Sequence, residues 1–192
     1  MRVVGGEARG RRLAAPPGRA TRPTSDRVRE AIFGVLGSLE QVADVTVEGA
    51  RVVDLFAGSG ALGIEALSRG AASATFVERD RTAVAAIRAN LAATGLAGPG
   101  ATVVGADAER WLERAEPFDL ILCDPPYAYR GWPDLLAAMA PLTRLAVIET
   151  GGPMELGPGW EALKIKRYGG TVVSVARPAG SPGQLVDQEG GT

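Results

Sequence analysis

The sequence predicts an α/β fold of the doubly wound type, built around a mostly parallel sheet. From residue 51 onward, short apolar runs typical of buried strands alternate with amphipathic stretches typical of helices, which is the pattern of consecutive β–α units. Near the C-terminus, strand-like runs at 160–168 and 171–177 are separated only by Gly169 and Gly170, which indicates a β-hairpin. At least one late strand is therefore expected to run antiparallel to the others.

The composition indicates one globular domain with its own core, since 46% of the 192 residues are hydrophobic and 22% are charged. No apolar run is long enough to span a bilayer, and "MRVVGGEARGRR" lacks the apolar segment of a signal peptide, so we expect a cytoplasmic protein. The chain has no histidine and a single cysteine, Cys123, which we interpret as a core residue. We therefore expect no metal site and no histidine-based catalysis.

The first thirty residues are the basic part of the chain, with eight arginines against three carboxylates, although the whole chain has a net charge of -1. The pieces "RVVGG" and "RRLAAPP" around "EARG" predict a β-hairpin. Because the arginine side chain suits phosphate groups, residues 1–23 are expected to form an arm that binds a nucleic acid. The alternative is a merely solvated arm, whose arginines reflect a GC-rich genome that favours arginine codons.

The main domain is expected over residues 24–177. "TSDRVREAIFGVLGSL" predicts its first helix, with Ser25 as the N-cap. The apolar face of this helix is expected to consist of Val28, Ile32, Val35 and Leu36. Strands are then expected at "RVVDLF", "ATFVER", "ATVVG", "FDLILC" and "RLAVIET". Helices are expected at "GALGIEALSRG", "DRTAVAAIRANLAATG", "DAERWLERA" and "WPDLLAAMA", the second capped by Asp80 and ended by Gly95. Residues 178–192 are expected to be a disordered tail.

A glycine pattern marks the expected ligand site. "DLFAGSGALGIEAL" places Gly58, Gly60 and Gly63 at a strand-to-helix turn, where glycine lets a ligand approach the backbone. The negative charge of Asp54 before this loop is unfavourable beside a pyrophosphate and favourable beside a sulfonium, so S-adenosylmethionine is favoured over a nicotinamide dinucleotide. A loop that serves packing alone is a third interpretation. Replacement of Gly60 by valine is expected to block the ligand sterically and leave the fold largely intact.

Two more carboxylates are placed to contact an adenosyl ligand. Glu78 follows the second strand of the main domain, where an acid can reach ribose hydroxyls. Asp107 follows the third strand, from which a side chain can reach the adenine amino group. Each of these acids could instead cap a helix.

The stretch "LILCDPPYAYRG" combines a strand with a rigid polar turn. Asp124, Pro125, Pro126 and Tyr127 follow the fourth strand and therefore lie at the same sheet edge as the glycine loop. The prolines fix φ and supply no N–H group, so their carbonyl groups are expected to face the crevice as acceptors. A carboxylate, carbonyl acceptors and an aromatic ring suit a planar substrate that bears an NH2 group. A rigid turn without a catalytic role is the alternative.

These motifs together resemble the class I adenosylmethionine-dependent methyltransferases that carry an (N/D)PP(Y/F) motif, and within them the RsmD-type 16S ribosomal RNA guanine-N2 methyltransferases. The stretches that carry the resemblance are "RVVGGEARGRRL", "RPTSDRVREAIFGVL", "DLFAGSGALGIEALSRGA", "DPPY" and "YGGTVVSVAR", over roughly residues 1–177. The resemblance implies a Rossmann-like, seven-stranded, mostly parallel sheet whose last strand is antiparallel. It also implies methyl transfer to N2 of a guanine in 16S rRNA, either free or in an assembling small ribosomal subunit.

The resemblance assigns roles to individual residues. The residues expected to bind S-adenosylmethionine are Asp54, Phe56, Ala57, Gly58, Ser59, Gly60, Glu78, Arg79, Asp107 and Ala108. The residues expected to be catalytic are Asp124, Pro125, Pro126 and Tyr127. From the charge distribution, the residues expected to contact RNA are Arg9, Arg11, Arg12, Arg22, Arg27 and Arg29. Deleting residues 1–20 is expected to cripple methylation but to spare cofactor binding. We expect a monomer, and a DNA adenine-N6 methyltransferase is the alternative function.

Overall fold

The computed structural model describes residues 1–16 and 25–180, which form one seven-stranded sheet flanked by helices. The strands are β1 (Arg51–Leu55), β2 (Ser73–Val77), β3 (Ala101–Val104), β4 (Phe118–Cys123), β5 (Thr143–Thr150), β6 (Trp160–Tyr168) and β7 (Thr171–Pro178). The helices are α1 (Asp26–Ala43), α2 (Ala61–Ser68), α3 (Arg81–Thr94), α4 (Ala108–Leu112) and α5 (Trp132–Met139), with a short 3-10 turn at Ala140–Leu142.

The order of the strands across the sheet is β3-β2-β1-β4-β5-β7-β6. Strands β1 to β5 pair in parallel, whereas β7 runs antiparallel to both β5 and β6. The predicted fold class, including the antiparallel last strand, is confirmed. The chain order reverses between β1 and β4, and in sheets of this kind ligands bind in the crevice at the carboxyl ends of the strands on either side of that point.

Successive side chains of the strands supply two apolar layers, one on each face of the sheet. On one face, residues such as Val52 and Leu120 pack with α1, α2 and α3, and the hydrophobic side of α1 includes Ile32 as predicted. On the other face, Val53 and Ile121 pack with α4 and α5. Because helices cover both faces of the sheet, polar chemistry is left to the ends of the strands and the loops that follow them.

The helix ends follow the predicted capping residues. Ser25 precedes α1 and its side chain accepts a hydrogen bond from the Val28 nitrogen. Asp80 caps α3 by accepting from the nitrogen of Thr82, and Gly95 ends α3 with φ of 74°, in the left-handed region that glycine adopts without strain. The helix predicted in "DAERWLERA" is shorter than expected, because α4 ends at Leu112.

Residues 1–16 contain the predicted hairpin, which packs against the domain. Arg2 and Arg12 form an antiparallel bridge, and Val3 and Leu13 are buried in the core beneath α1 and α2. The Val4 nitrogen donates to Glu65 Oε2 of α2 at 2.8 Å. Removing this segment would expose a part of the core, so the segment is not a detachable arm.

Four members of the predicted RNA-contacting set are exposed, namely Arg9, Arg11, Arg12 and Arg27. Arg29 differs from them because its side chain is completely buried, with 0% exposure. It donates to Asp26 Oδ1 at 2.7 Å and to the backbone oxygen of Arg2, so it joins α1 to the hairpin. The expectation that Arg29 contacts RNA is wrong, since a fully buried guanidinium cannot reach a phosphate. Arg22 lies outside the described residues.

At the C-terminal end, β7 extends to Pro178, one residue beyond the predicted limit of the domain, and the Ala179 nitrogen donates to the Gly159 oxygen. Residues 181–192, which make up most of the predicted tail, lie outside the described residues. Over residues 1–16 and 25–180, no helix is both long enough and apolar enough to cross a membrane.

Candidate active site

A cavity of about 640 Å³ opens at the carboxyl ends of β1 to β4. Its wall includes all four predicted catalytic residues and every predicted cofactor-binding residue except Gly60. The structure therefore brings together residues that lie far apart in the chain. They meet because parallel strands deliver their following loops to a single edge of the sheet.

Gly60 and Gly63 lie behind the cavity wall and serve helix packing. Gly60 has φ of 76°, and a Cβ atom there would come within 3.2 Å of Ile87. A Cβ atom at Gly63 would lie 2.4 Å from the ring of Phe76 on β2. A valine at Gly60 would therefore disturb the backbone and the core, contrary to the expectation that it would block only the ligand. Gly58 remains the glycine of this loop that borders the cavity.

Asp54 lies at the base of the cavity, at the end of β1, with only 1% exposure. Its Oδ2 accepts a hydrogen bond from the Gly63 nitrogen at 2.9 Å, so the carboxylate fixes the start of α2. Burial raises the pKa of Asp54 well above its usual value, and the negative charges of Asp124 and Glu78 raise that pKa further. Three carboxylates thus gather around one cavity, an arrangement that favours a positively charged ligand.

Glu78 joins the glycine loop to the segment that follows β2. Its Oε2 accepts from the Gly58 nitrogen at 2.9 Å, and its Oε1 accepts from the Asp80 nitrogen at 2.8 Å. These bonds hold a nearly buried carboxylate at the rim where the sequence predicted a contact to ribose hydroxyls. The orientation of Glu78 is therefore fixed before any ligand arrives.

Asp107 caps a helix and also lies on the cavity wall. As the N-cap of α4 it accepts from the Arg110 nitrogen at 3.4 Å, and it also lines the cavity. Its Oδ2 lies 3.6 Å from Arg79 Nη1, which places the predicted residue Arg79 across the same rim. Ala108 follows and is buried beneath them. The helix-cap alternative and the cavity-lining role are therefore compatible.

An aromatic wall on the cavity was not predicted. Phe56 has φ of 58°, an unfavourable backbone conformation for a residue with a side chain, and its ring lies 5.5 Å from that of Tyr129. The Tyr129 ring packs edge-on against Trp132 at 5.3 Å, and its hydroxyl group donates to Glu109. Burial raises the pKa of Tyr129, and the Glu109 carboxylate adds to this effect. The three aromatic residues in "YAYRGW" were the sequence signal that could have predicted this wall.

The Asp-Pro-Pro-Tyr turn begins directly after β4, and Asp124 lies partly buried at the cavity. The carbonyl oxygen of Pro126 accepts from the Tyr129 nitrogen at 2.7 Å, so it closes the turn rather than facing a substrate. This differs from the expectation that both proline carbonyls serve as acceptors. Pro125, which is buried at the cavity wall, keeps the predicted place beside Asp124.

Tyr127 presents its ring at the mouth of the cavity, with 51% exposure. Its hydroxyl group lies 2.8 Å from Thr171 Oγ1 at the start of β7. The ring lies close to Gly151, where an added Cβ atom would come within 3.0 Å of it. The hydroxyl bond and this contact hold the ring in place and leave about half of its surface open for stacking.

Cys123, the last residue of β4, is 1% exposed and belongs to the core, as expected. Burial raises the pKa of its thiol, and the nearby carboxylates of Asp124 and Asp54 raise that pKa further. The thiolate, which is the nucleophilic form, is therefore disfavoured at this position.

The N-terminal segment supplies part of the cavity wall through Met1, Ala15 and Pro16. Asn90 of α3, only 2% exposed, connects this segment to the glycine loop. Its side-chain amide nitrogen donates to the oxygens of Ala14 at 3.0 Å and of Ser59 at 2.9 Å, while its oxygen accepts from the Ala14 nitrogen at 2.8 Å. No pattern in the sequence indicated this connection.

Comparison with known proteins places the chain in a family. The family described as "Conserved hypothetical protein 95" matches residues 1–177. The Bacillus subtilis protein YlbH is 45% identical over 131 residues, which cover 66% of this chain and 67% of YlbH. The Escherichia coli "Ribosomal RNA small subunit methyltransferase D" is 44% identical over 128 residues, which cover 66% of this chain and 60% of that protein.

The solved structure of the Escherichia coli protein yhhF superimposes with a TM-score of 0.78 at 32% identity, covering 93% of this chain and 97% of that one. These findings confirm the family resemblance inferred from the sequence. With its match over residues 1–177, the chain belongs to the Conserved hypothetical protein 95 family and has the seven-stranded fold of the class I methyltransferases.

Proposed function

We propose that this chain transfers a methyl group from S-adenosylmethionine to the exocyclic N2 of a guanine in small-subunit ribosomal RNA. The observation that carries the proposal is the joint position of Asp124 and Tyr127 on one cavity with the carboxylates of Asp54 and Glu78. The name of the Escherichia coli relative supplies the substrate class. Because the aligned segment covers 60% of that relative, the activity comes to this chain as a proposal.

The residues of the cavity fit S-adenosylmethionine. The carboxylates of Asp54, Glu78 and Asp124 complement the positive charge of a sulfonium. The cavity volume of about 640 Å³ lies in the range of small-molecule sites. Glu78 would hold the ribose hydroxyls, while Asp107 and the wall formed by Phe56 would hold the adenine. When bound, the cofactor supplies an electrophilic methyl group on a positively charged sulfur.

The chain's own residues prepare the target amine. The 2-amino group of guanine is a poor nucleophile, because its lone pair is delocalised into the ring. One N–H bond donated to Asp124 and a second donated to the Pro125 carbonyl would concentrate that lone pair on the nitrogen. Tyr127 would stack on the guanine and hold its plane at the mouth of the cavity. The proton released on methylation passes to Asp124 or to water, so no histidine is needed.

The RNA-contacting role is proposed for the exposed arginines Arg9, Arg11, Arg12 and Arg27, together with Arg22. The hairpin that carries Arg9, Arg11 and Arg12 also contributes Met1 and Ala15 to the cavity wall, an arrangement that suits a folded RNA or an assembling ribosomal particle. We further propose that the protein acts as a monomer in the cytoplasm, where this RNA is made.

Transfer of a tritiated methyl group tests the function directly. The purified chain would be incubated with small-subunit ribosomal RNA, with assembled small subunits and with DNA, all from a strain lacking this gene. Digestion of the product to nucleosides should yield labelled N2-methylguanosine from the ribosomal RNA or the particle. Labelled N6-methyladenine from DNA, with no labelled guanosine, would instead support the alternative methyltransferase.

A further inference from the structure

The edge strand β6 carries a group of exposed cations, Lys164, Lys166 and Arg167, which we call the β6 cluster. These two lysines are the only ones in the whole sequence, in which all other basic side chains are arginine. Strand residues alternate between faces, so the two lysines lie on one face of the edge and Arg167 lies on the other. A polyanion that follows this edge can therefore be contacted from both sides.

No carboxylate among residues 1–16 and 25–180 neutralises the β6 cluster. The residues opposite its members on β7 are Val175, Val173 and Val172. The nearest acid along β6, Glu161, is engaged with Arg177 at 2.8 Å. In the part of the chain that the structure describes, none of the three cations forms an ion pair with a carboxylate. The cluster is therefore a local positive charge on a chain with a net charge of -1.

Topology places the β6 cluster beside the active site. Because β7 is antiparallel to both β5 and β6, strand β6 runs in the direction of β4 and ends at the edge where Asp124 follows β4. A chain of contacts joins the two places, since Tyr127 is hydrogen-bonded to Thr171, and Thr171 pairs with Tyr168 at the end of β6. Two strands separate β4 from β6, so the cluster lies roughly 14 Å from the strand that leads to Asp124.

We infer that the β6 cluster binds phosphates of the RNA nucleotides that flank the target guanine. This inference rests on the proposed function and adds a second RNA contact surface, at the β6 edge of the sheet, to the one proposed for the N-terminal hairpin. With the target base stacked on Tyr127, the neighbouring nucleotides leave the cavity beside Thr171 and meet the edge of the sheet. A separation of roughly 14 Å is too long for the target base itself and suits its neighbours along the strand.

Exposed edge strands also use lysines to prevent pairing with another sheet. That protective role depends on the presence of charge and can also be served by carboxylates. Phosphate binding depends on the sign of the charge. Reversing the charge at Lys164 and Lys166 therefore separates the two roles, because the edge remains charged while attraction for RNA becomes repulsion.

The test compares the double variant Lys164→Glu, Lys166→Glu with a control of the same charge change, Arg51→Glu, Arg114→Glu. Arg51 begins β1 and Arg114 precedes β4, so both exposed control residues lie at the end of the sheet opposite the active site. Affinity for unmodified small-subunit ribosomal RNA would be measured over a series of salt concentrations. Cofactor affinity, thermal unfolding and aggregation would be measured in parallel.

The β6 double variant should bind RNA at least about tenfold more weakly, and the slope of log affinity against log salt should fall by about 0.7 for each phosphate that is no longer neutralised. Its cofactor affinity and unfolding should match the wild type, and the control should keep its RNA affinity. The milder variant Lys164→Gln, Lys166→Gln should show an intermediate decrease in RNA affinity.

Wild-type RNA affinity and salt slope in the β6 double variant would overturn the inference and leave only edge protection. An equal decrease in the control would also overturn it, because net charge alone would then explain the effect. RNA binding is measured directly here, so a wild-type protein that binds RNA through β6 but methylates none would contradict the proposed function alone.

Discussion

The carboxylate of Asp54 accepts a hydrogen bond from the backbone nitrogen of Gly63 at 2.9 Å, which ties the end of β1 to the first turn of α2. The glycine loop lies between these two residues, so the bond sets the shape of the cavity floor. Burial and the charges of Asp124 and Glu78 raise the pKa of Asp54, and a bound cation would lower it again. The site is therefore expected to couple cofactor binding to release of a proton.

The first prediction concerns pH. Deprotonated Asp54 attracts a sulfonium, so affinity for S-adenosylmethionine should increase as the pH rises through the raised pKa of Asp54. The demethylated product carries no sulfonium charge and should show a weaker dependence. Calorimetry across acidic to alkaline pH measures both ligands. Asp54→Asn should flatten the curve for S-adenosylmethionine, and an unchanged curve in this variant would show that another group titrates.

The same pKa shift has a consequence for stability. A carboxyl group whose pKa is raised by folding destabilises the native state as the pH increases from its unfolded value through its folded value. The free energy of unfolding without ligand should therefore decline over that window, and Asp54→Asn should reduce the decline while its amide oxygen still accepts from Gly63. Denaturant unfolding at a series of pH values measures this effect. The prediction fails if the free energies of unfolding of the wild type and of Asp54→Asn differ by the same amount at every pH.

The second prediction concerns the hairpin and the cofactor. Asn90→Ala removes the partner of both backbone groups of Ala14 and of the Ser59 oxygen, so it should lower the free energy of unfolding by about 1–3 kcal/mol. It should also weaken cofactor binding, because the glycine loop and the wall near Pro16 lose their connection. The exposed residue Arg88 on the same helix provides the control variant Arg88→Ala. Equal cofactor affinity in Asn90→Ala and wild type would show that the hairpin does not support the cavity.

Local patterns predicted much of this architecture, because strands, helix caps and the turn after β4 have short-range signatures. Ser25, Asp80 and Gly95 act where the sequence placed them. Arg29 could not be recognised as a buried residue, since its position next to Val28 does not distinguish a solvated guanidinium from one that binds the backbone of Arg2. That distinction depends on contacts between residues far apart in the chain.

The same limit applies to the site. The sequence predicted which loops meet, and the cavity wall contains all of the predicted catalytic and cofactor-binding residues except Gly60. It could not predict that Gly60 packs on Ile87. Nor could it predict that Asn90 joins the glycine loop to Ala14 of the hairpin, which lies 76 residues earlier in the chain. These contacts depend on how α3 packs against the sheet, which no periodicity specifies.

The third prediction separates the arginines. Replacing the exposed residues Arg9, Arg12 and Arg27 by alanine should weaken RNA binding and reduce its salt slope by about 0.7 for each phosphate that is no longer neutralised, with little change in unfolding. Arg29→Ala should instead destabilise the fold, because Asp26 and the Arg2 oxygen lose their buried partner. Filter binding and thermal unfolding distinguish the two outcomes. An unchanged salt slope in the triple variant would show that the hairpin surface is only solvated.

The fourth prediction concerns Tyr127. Tyr127→Phe loses the hydroxyl contact to Thr171 but keeps the ring beside Gly151, so most of the methylation rate should remain. Tyr127→Ala removes the stacking surface and should weaken substrate engagement by roughly 1–3 kcal/mol. Thr171→Val is the matched control for the hydroxyl contact. Steady-state methylation gives KM and kcat for each variant, and a Tyr127→Ala protein with unchanged KM and kcat would exclude stacking.

The last prediction concerns Asp124, on which the proposed mechanism depends. If its carboxylate polarises the target amine, Asp124→Ala should lower the rate of methyl transfer by roughly 10²–10³. Its cofactor affinity should change far less, because Asp54 and Glu78 remain in the cavity. Asp124→Asn keeps an acceptor oxygen without the charge and should have an intermediate rate. The most direct measurement is single-turnover methylation at saturating RNA and cofactor. We expect this order of rates, and a wild-type rate in Asp124→Ala would contradict the proposed mechanism.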